Sequence, residues 1–450
     1  MTFRNSAPNQ REHLTPTTYA LVASTFHGVA AALFHPLIII AFFISRVSDE
    51  SRDVALVAVI STATWYVPQL LTNWGSRYYP QVYPVVVAAS VVRLASVSLM
   101  AAFVLRTDSP DAVLARQFLL ILVAYQLASA ALVPAMNELM ARAVPARHLT
   151  TLFRNRFIVG SVAAMVAGLV AARGLGVDAP PFPRGFGLLF LVAAMATGAE
   201  SWFLLRLREV KSEDLPRERV GSIAPSRLVA ALAGGGFRKF ALFRIIIALA
   251  AIADPYLIVH GMREIEPSSR FLGLYIVTFA AANLAGTAAA NDLTVLGAAR
   301  SVFQVAALLR FATPILALLI PLLYTSEAAS SGVAAALFGS VFVGLGLITA
   351  AHGGTTQHTL LALHPPGARA AGITLLNVAL CFCALAPLLG SRLVEQRGTA
   401  ALLGVASAIG FIAVVFSGAL IAPSPRRSRR RRPGKRRLRA VPKKRKPRRR

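Results

Sequence analysis

The sequence predicts an all-α integral membrane protein of twelve transmembrane helices, arranged as two pseudo-symmetric six-helix halves. Three observations carry that expectation. Hydrophobic residues fill 56% of the 450 positions and charged residues only 15%, where a soluble domain carries about 25% charged residues. Apolar runs long enough to cross a hydrocarbon layer of about 30 Å recur along almost the whole chain, and mean hydropathy is +0.62. The runs also fall into two sets of six on either side of a charged stretch, and short motifs repeat between the sets.

The first set covers 18–45, 54–74, 82–105, 113–140, 153–174 and 185–207. The second covers 238–262, 271–291, 299–323, 332–362, 370–393 and 399–422. The expected organisation is a short N-terminal segment 1–17, a half 18–207, a linker 208–237, a second half 238–422 and a tail 423–450. The first apolar run is too long for a signal-peptide core and has no small-residue cleavage site after a short core, so it reads as a retained helix. The two cysteines, Cys381 and Cys383, sit two apart in one apolar segment. On a helix they point in different directions, which argues against a disulfide between them.

Charge placement sets the orientation. With the N-terminus in the cytoplasm, the inside loops hold Arg77, the group Arg142, Arg147, Arg154 and Arg156, the eight Lys/Arg of 206–239, then Arg300, Arg369 and the tail. The opposite loops collect acids: Asp49, Glu50, Asp53, Asp108, Asp111, Asp178, Glu264, Glu266, Glu327 and Glu395. The tail alone holds 17 Lys/Arg and no acid, so +11 of the net +28 belongs to the rest. The expected localisation is the cell (inner or plasma) membrane, multi-pass, with both termini cytoplasmic.

The halves correspond at a spacing near 220 residues. His35-Pro36 interrupts the first apolar run and Asp254-Pro255 the seventh, 219 residues later. Arg93-Leu94-Ala95-Ser96 is matched by Arg310-Phe311-Ala312-Thr313 at 217. Pro145-Ala146-Arg147, with Asn155 and Gly168 following, is matched by Gly367-Ala368-Arg369, with Asn377 and Gly390, at 222. Three correspondences in order at nearly one offset mark an internal duplication, a recurring feature of secondary transporters.

Six plus six helices, a charged central loop and these loop motifs resemble the major facilitator superfamily. That family carries a Gly-x-x-x-Asp-Arg-x-Gly-Arg-like motif after its second helix. The matching stretch here is Gln69-Leu70-Leu71-Thr72-Asn73-Trp74-Gly75-Ser76-Arg77, in which only Arg77 keeps the family residue. The passage Pro365-Pro366-Gly367-Ala368-Arg369-Ala370-Ala371-Gly372, followed by Pro387-Leu388-Leu389-Gly390, matches better. The resemblance covers roughly 18–422. It implies a secondary transporter whose first, fourth, seventh and tenth helices surround a central cavity.

Ionisable groups in membrane helices are costly, about 2.5–3.5 kcal/mol each on insertion scales, so each is a candidate for function. His35 and Asp254 stand out: both precede a proline, which frees backbone carbonyls to line a cavity. The repeat places them to meet across that cavity and share a proton; the plainer reading is a pair of helix bends. His352 and Gln357 on the tenth helix are further substrate or proton candidates. Glu138 reads as an ion pair with Arg142 at i,i+4. Arg93 and Arg310 read as structural, on peripheral helices with side chains reaching towards the cytoplasm. Arg77, Arg93, Glu138, Arg310 and Arg369 form the structural or gating set. The series Gly160, Ala164, Gly168, Ala172 and Ala282, Gly286, Ala290 reads as close helix contacts.

No metal site, cofactor site or catalytic motif is expected. Gly234-Gly235-Gly236-Phe237-Arg238-Lys239 lacks the spacing and the Ser/Thr of a phosphate-binding loop. The tail is too charged and proline-broken to fold alone, and it suits anionic lipid at about 1 kcal/mol per well-placed cation. No specific nucleic-acid partner is expected, and the chain reads as a monomer. The function expected is alternating-access transport of a small organic solute, with protons as a possible coupling ion and export as a possible direction. The alternatives are a membrane-embedded enzyme acting on lipid-linked substrates and a non-transporting anchor or sensor that displays the tail. The topology is checked by single cysteines in sealed cells. Those at Ser51 and Glu327 should react with an impermeant thiol reagent from outside and one at Ser212 should not; the reverse pattern rejects the orientation.

Overall fold

A computed structural model describes residues 15–75, 82–107, 111–176, 178–207, 232, 234–364 and 369–420. The expectations placed on Arg77, on most of the 208–237 linker and on the basic tail lie outside the described residues. Among the described residues all regular structure is helical. Ten helical stretches are long and apolar enough to cross a membrane.

The first stretch runs from α1 (Pro16–Leu33) through a π-helical turn (Pro36–Ile40) into α2 (Ala41–Val47). Thr15 caps α1, accepting a hydrogen bond from the Thr18 N–H at 3.3 Å, and Pro16 tolerates the first turn because its missing N–H has no intrahelical partner there. At His35 the carbonyl collects the N–H groups of Ile38, Ile39 and Ile40 at 3.4, 2.9 and 3.1 Å. Pro36 cannot donate one, and the helix reforms on a different register.

The elements that follow are α3 (Ser51–Gly75), α4 (Tyr83–Arg106), α5 (Ala112–Ala143), α6 (Ala146–Gly174) and α7 (Arg184–Leu204). Then come α8 (Gly235–Leu249), a 3₁₀ turn (Ala250–Ala253) and α9 (Asp254–Glu264), a second helix broken at its proline. Next are α10 (Arg270–Val295), α11 (Ala299–Thr325), α12 (Ser331–His352) and α13 (Gly354–Leu363). The described chain closes with α14 (Arg369–Cys383) and α15 (Ala386–Ser417).

Three expected boundaries move. The fifth segment starts at Ala146 instead of 153, so its first two turns are helix and not loop. The tenth segment is split at Gly353. The last two segments run almost continuously, with breaks at Ala384 and Leu385 and at Gly398, whose φ of 82° is left-handed. Glycine adopts that region without the steric cost a Cβ brings.

The helices pair in a recurring pattern. In the first part of the chain α4 packs on α5 and α7, α3 on α5, and α1 on α6 and α7. In the second part α11 packs on α12 and α15, α10 on α12, and α8 on α15. The two groups meet where α6 lies against α10 and where α3 lies against α14 and α15. A phenylalanine cluster fills the first group at the α2 end: Phe34 and Phe190 stand 5.3 Å apart edge to face, Phe43 and Phe118 5.2 Å, Phe118 and Phe190 5.5 Å. Such tilted pairs match the ring quadrupoles. On that same side Tyr256 of α9 donates to the Ser51 carbonyl of α3 at 2.8 Å, which ties the two groups together.

Small residues let the helices touch backbone to backbone. Gly28 of α1 faces the Gly160 carbonyl of α6, and Gly273 of α10 faces Ala172 N and the Gly168 carbonyl of α6, each too close to admit a Cβ. Without a hydrophobic drive between helices in lipid, such close packing supplies the association. Gly273→Ala should therefore force α6 and α10 apart and destabilise the fold by about 1–3 kcal/mol, whereas Gly404→Ala, which meets nothing within 4 Å, should not. Thermal unfolding of the two purified variants in one detergent checks this; equal midpoints would refute the close-contact account.

Candidate functional site

Arg93 of α4 and Glu200 of α7 are 2% and 1% exposed, and their Nη1 and Oε1 atoms lie 3.0 Å apart. His27 of α1 brings its Nδ1 to the same Oε1, also at 3.0 Å. The Arg93 guanidinium additionally lies over the Tyr125 ring, 5.6 Å from its centre. This knot joins α1, α4, α5 and α7. A lone charge at this depth would have no water to solvate it, so the pairing is what permits the burial.

The second group of helices builds a related pair. Arg310 of α11 donates from Nη1 to Oδ1 of Asp254 at 2.5 Å, with side chains 9% and 14% exposed. Asp254 opens α9, so its carboxylate also faces the positive end of a helix dipole. The repeat-related arginines thus both hold an acid, but on different helices: Arg93 reaches α7 and Arg310 reaches α9.

This corrects two expectations. The proton-sharing pair of His35 and Asp254 is not formed. Asp254 is held by Arg310, while the His35 ring packs edge to face on Phe279, 4.7 Å between centres, and its Nδ1 has no hydrogen-bond partner. A buried carboxylate binds the fixed cation in reach in preference to a neutral imidazole. Arg93 and Arg310 also do not reach outwards; each is drawn sideways into the bundle by its acid.

His35 instead ends a cavity of about 380 Å³ between α1, α6 and α10, within the range of small-molecule sites. Its polar wall includes Ser24, His27, His35, Arg156, Ser161 and Asn283, and its apolar wall includes Phe153, Phe157 and Phe279. Arg156 is half-buried. It donates from Nε to the Ser24 hydroxyl at 2.7 Å and from Nη2 to Met136 Sδ at 3.3 Å, and it lies over Phe153 at 5.6 Å. The cavity lies on the α1 N-terminal side of the His35-Pro36 break. Beyond the break the phenylalanine cluster and the bond from Tyr256 to Ser51 close the bundle.

The remaining candidates are scattered. The His352 Nε2 is buried without a hydrogen-bond partner, and Gln357 is exposed. Glu138 and Arg142 are paired at 2.8 Å near the end of α5, and Arg369 donates to the His364 carbonyl at 3.4 Å. No group of three or more His, Cys, Asp or Glu among the described residues has metal-site geometry. Sequence reading missed the roles of His27 and Arg156. The charge pattern groups Arg156 with the inside-loop cations; with α6 starting at Ala146, it sits ten residues inside the helix. No local signal in the sequence links Glu200 to Arg93, 107 residues away.

No protein-family model and no curated protein sequence matches the chain. Its structure matches that of the nucleoside transporter NupG with a TM-score of 0.66 over 91% of this chain and 99% of that one, at 12% identity. A D-xylose-proton symporter matches with a TM-score of 0.66 over 91% and 98%, at 14% identity. A POT family transporter in complex with a thioalcohol-conjugated peptide matches with a TM-score of 0.63 over 90% and 96%, at 12% identity. At these identities the likeness is one of fold, and it agrees with the fold that the sequence resemblance implies.

The knot has a stability consequence. Glu200→Gln leaves the Arg93 guanidinium buried and unpaired, and should cost about 3–5 kcal/mol. Adding Arg93→Met should recover most of that loss, because no uncompensated charge remains. Unfolding midpoints of the single and double variants check it; a double variant no more stable than the single would refute the pairing account.

Proposed function

We propose that the chain is a secondary transporter that carries a small organic solute by alternating access across the cell membrane. The carrying observation is the cavity at the seam between α1, α6 and α10, open on one side of the His35-Pro36 break and closed on the other. A site enclosed between two tightly packed groups of helices becomes accessible from alternate sides when the groups rock about it. The structural neighbours are named as transporters of nucleosides, xylose and peptide ligands, which supports a small organic solute.

The proposed arrangement is twelve crossings in two halves, 18–207 and 238–422, joined by the 208–237 linker, with both termini cytoplasmic. The ten candidate spans support it once two features are added. α3 is 25 residues long, and the single stretch Ala371–Ser417 has 47 residues, about twice the length one crossing needs. Gly398 then marks the turn between the last two crossings. With the termini inside, this state faces the cytoplasm. Protons as the coupling ion are supported by the D-xylose-proton symporter among the structural neighbours.

Spin labels test the reading. One pair, Asp49 with Glu327, reports the closed face, and the other, His148 with His358, reports the open face; all four positions are exposed. In liposomes each pair should give two distance populations, the first lengthening as the second shortens when the pH is lowered or solute is added. A single unchanging distance at both pairs under every condition would refute alternating access.

A further inference from the structure

The knot around Glu200 reaches the cavity and fixes the chemistry of one wall. Glu200 accepts from Nη1 of Arg93 at 3.0 Å and is 1% exposed. Held so closely by a guanidinium it is a carboxylate, and a carboxylate only accepts hydrogen bonds. His27 brings Nδ1 to the same oxygen at 3.0 Å, so Nδ1 carries a hydrogen. In the neutral ring the other nitrogen, Nε2, is then a bare acceptor. Glu200 does not line the cavity, whereas His27 does, with its side chain 44% exposed. The ring therefore turns its Nδ1 edge to the knot and its Nε2 edge to the cavity.

Arg156 supplies the opposite character beside it. Its Nε is taken by the Ser24 hydroxyl and its Nη2 by Met136. Its Nη1 has no partner among the described residues and is not sealed in protein, unlike the Nε of Arg93. Ser24 stands three residues before His27 on α1, and residues at that spacing share a helix face, so Arg156 and His27 are neighbours in one wall. Arg156 also has Glu200 within electrostatic reach, so its charge is answered inside the protein and asks no anion of the solute. His35, at the other end of the cavity, is eight residues from His27, about 12 Å along the helix. Phe153 and Phe157 of α6 and Phe279 of α10 line the same space.

A solute seated on this wall gives a hydrogen bond at one point and accepts one at the next. A carboxylate sets its lone pairs against the lone pair of Nε2, and an ammonium sets its charge against Arg156; each arrangement leaves an enclosed polar group opposed. A polyol answers both points but turns hydroxyl groups onto three phenyl rings. An N–H beside a C=O answers both points from the rim of a flat ring. We infer that the solute is an uncharged, lactam-type ring compound: its N–H is given to Nε2 of His27, its C=O accepts from Arg156, and its flat body lies among Phe153, Phe157 and Phe279. Glu200 is then a positioning residue, which selects for a donor without touching the solute. The inference rests on the transporter reading and adds the class of solute to it.

The test uses the full chain in lipid nanodiscs in mildly alkaline buffer, with empty nanodiscs subtracted. The probes are three two-ring compounds: carbostyril, which carries the N–H and C=O edge, its N-methyl derivative, and naphthoate. Calorimetry should find carbostyril bound at least about tenfold more tightly than either of the others. His27→Asn keeps an N–H for Glu200 but has no atom at the Nε2 position, and should erase the preference over the N-methyl compound. Arg156→Met should weaken both lactams. Nitrogen NMR of the chain labelled in its histidines, with the His27 signals identified by their loss in His27→Asn, should show hydrogen on Nδ1 and a bare Nε2. Carbostyril bound no better than either other probe, or not at all, overturns the inference. So does a preference that survives His27→Asn, lactam binding untouched by Arg156→Met, or hydrogen on Nε2 of His27. The spin-label distances separate this failure from failure of the transporter reading. Faces that alternate without any N–H preference leave the transporter and remove the lactam; a His27-dependent preference with immobile faces does the reverse.

Discussion

Hydrocarbon offers no hydrogen bonds, and that constraint places the buried polar groups of the described helices. Backbone groups answer it by forming helices, since no open sheet edge or irregular segment can face lipid. Side-chain charges answer it by pairing. Arg93, at 2% exposure, can stay deep in the bundle because Glu200 is 3.0 Å away and shares its other contact with His27. Removing that one carboxylate would leave α1, α4 and α7 without their common polar partner. The apolar faces around it specify no partner so sharply, because lipid tails solvate a leucine as well as a neighbouring helix does.

The same constraint explains where the helices break. At His35-Pro36 and Asp254-Pro255 a proline removes one donor, and the freed carbonyls are taken up by tighter or wider turns of the same chain. Neither break faces lipid: one ends the central cavity and the other positions the carboxylate that Arg310 binds. Helix discontinuity and polar function therefore coincide for one physical reason. An unpaired carbonyl is tolerable only where protein or water can reach it.

Packing between the two groups of helices works through absence of side chains. Gly168 and Gly273 bring the α6 and α10 backbones into direct contact, so these helices form a seam with little soft material in it. A cavity bounded by such a seam is enlarged or closed by moving whole helices and not by rearranging loose side chains. The cavity wall itself carries Arg156 and His27 beside the aromatic rings of Phe153, Phe157 and Phe279.

The all-helical membrane class, the positions of most crossings, the two interrupted helices and the repeat of Arg93 by Arg310 were legible in the sequence. Each is encoded locally, by hydropathy over some twenty residues or by a proline beside a polar residue. The small-residue series was legible too, since Gly160, Gly168 and Gly286 do face neighbouring helices. Partner choice was not legible. His35 and Asp254 looked matched because repeats place them at equivalent points, yet Asp254 took Arg310 and His35 took Phe279. Arg156 grouped with the loop cations by charge, yet it stands ten residues inside α6. Which acid neutralises which arginine depends on distances between helices far apart in the chain, set by backbone contacts at glycines and by the sum of all packing. Only the tertiary structure decides that sum, because in a low-dielectric interior a shift of a few ångströms decides whether a charge is paired or bare.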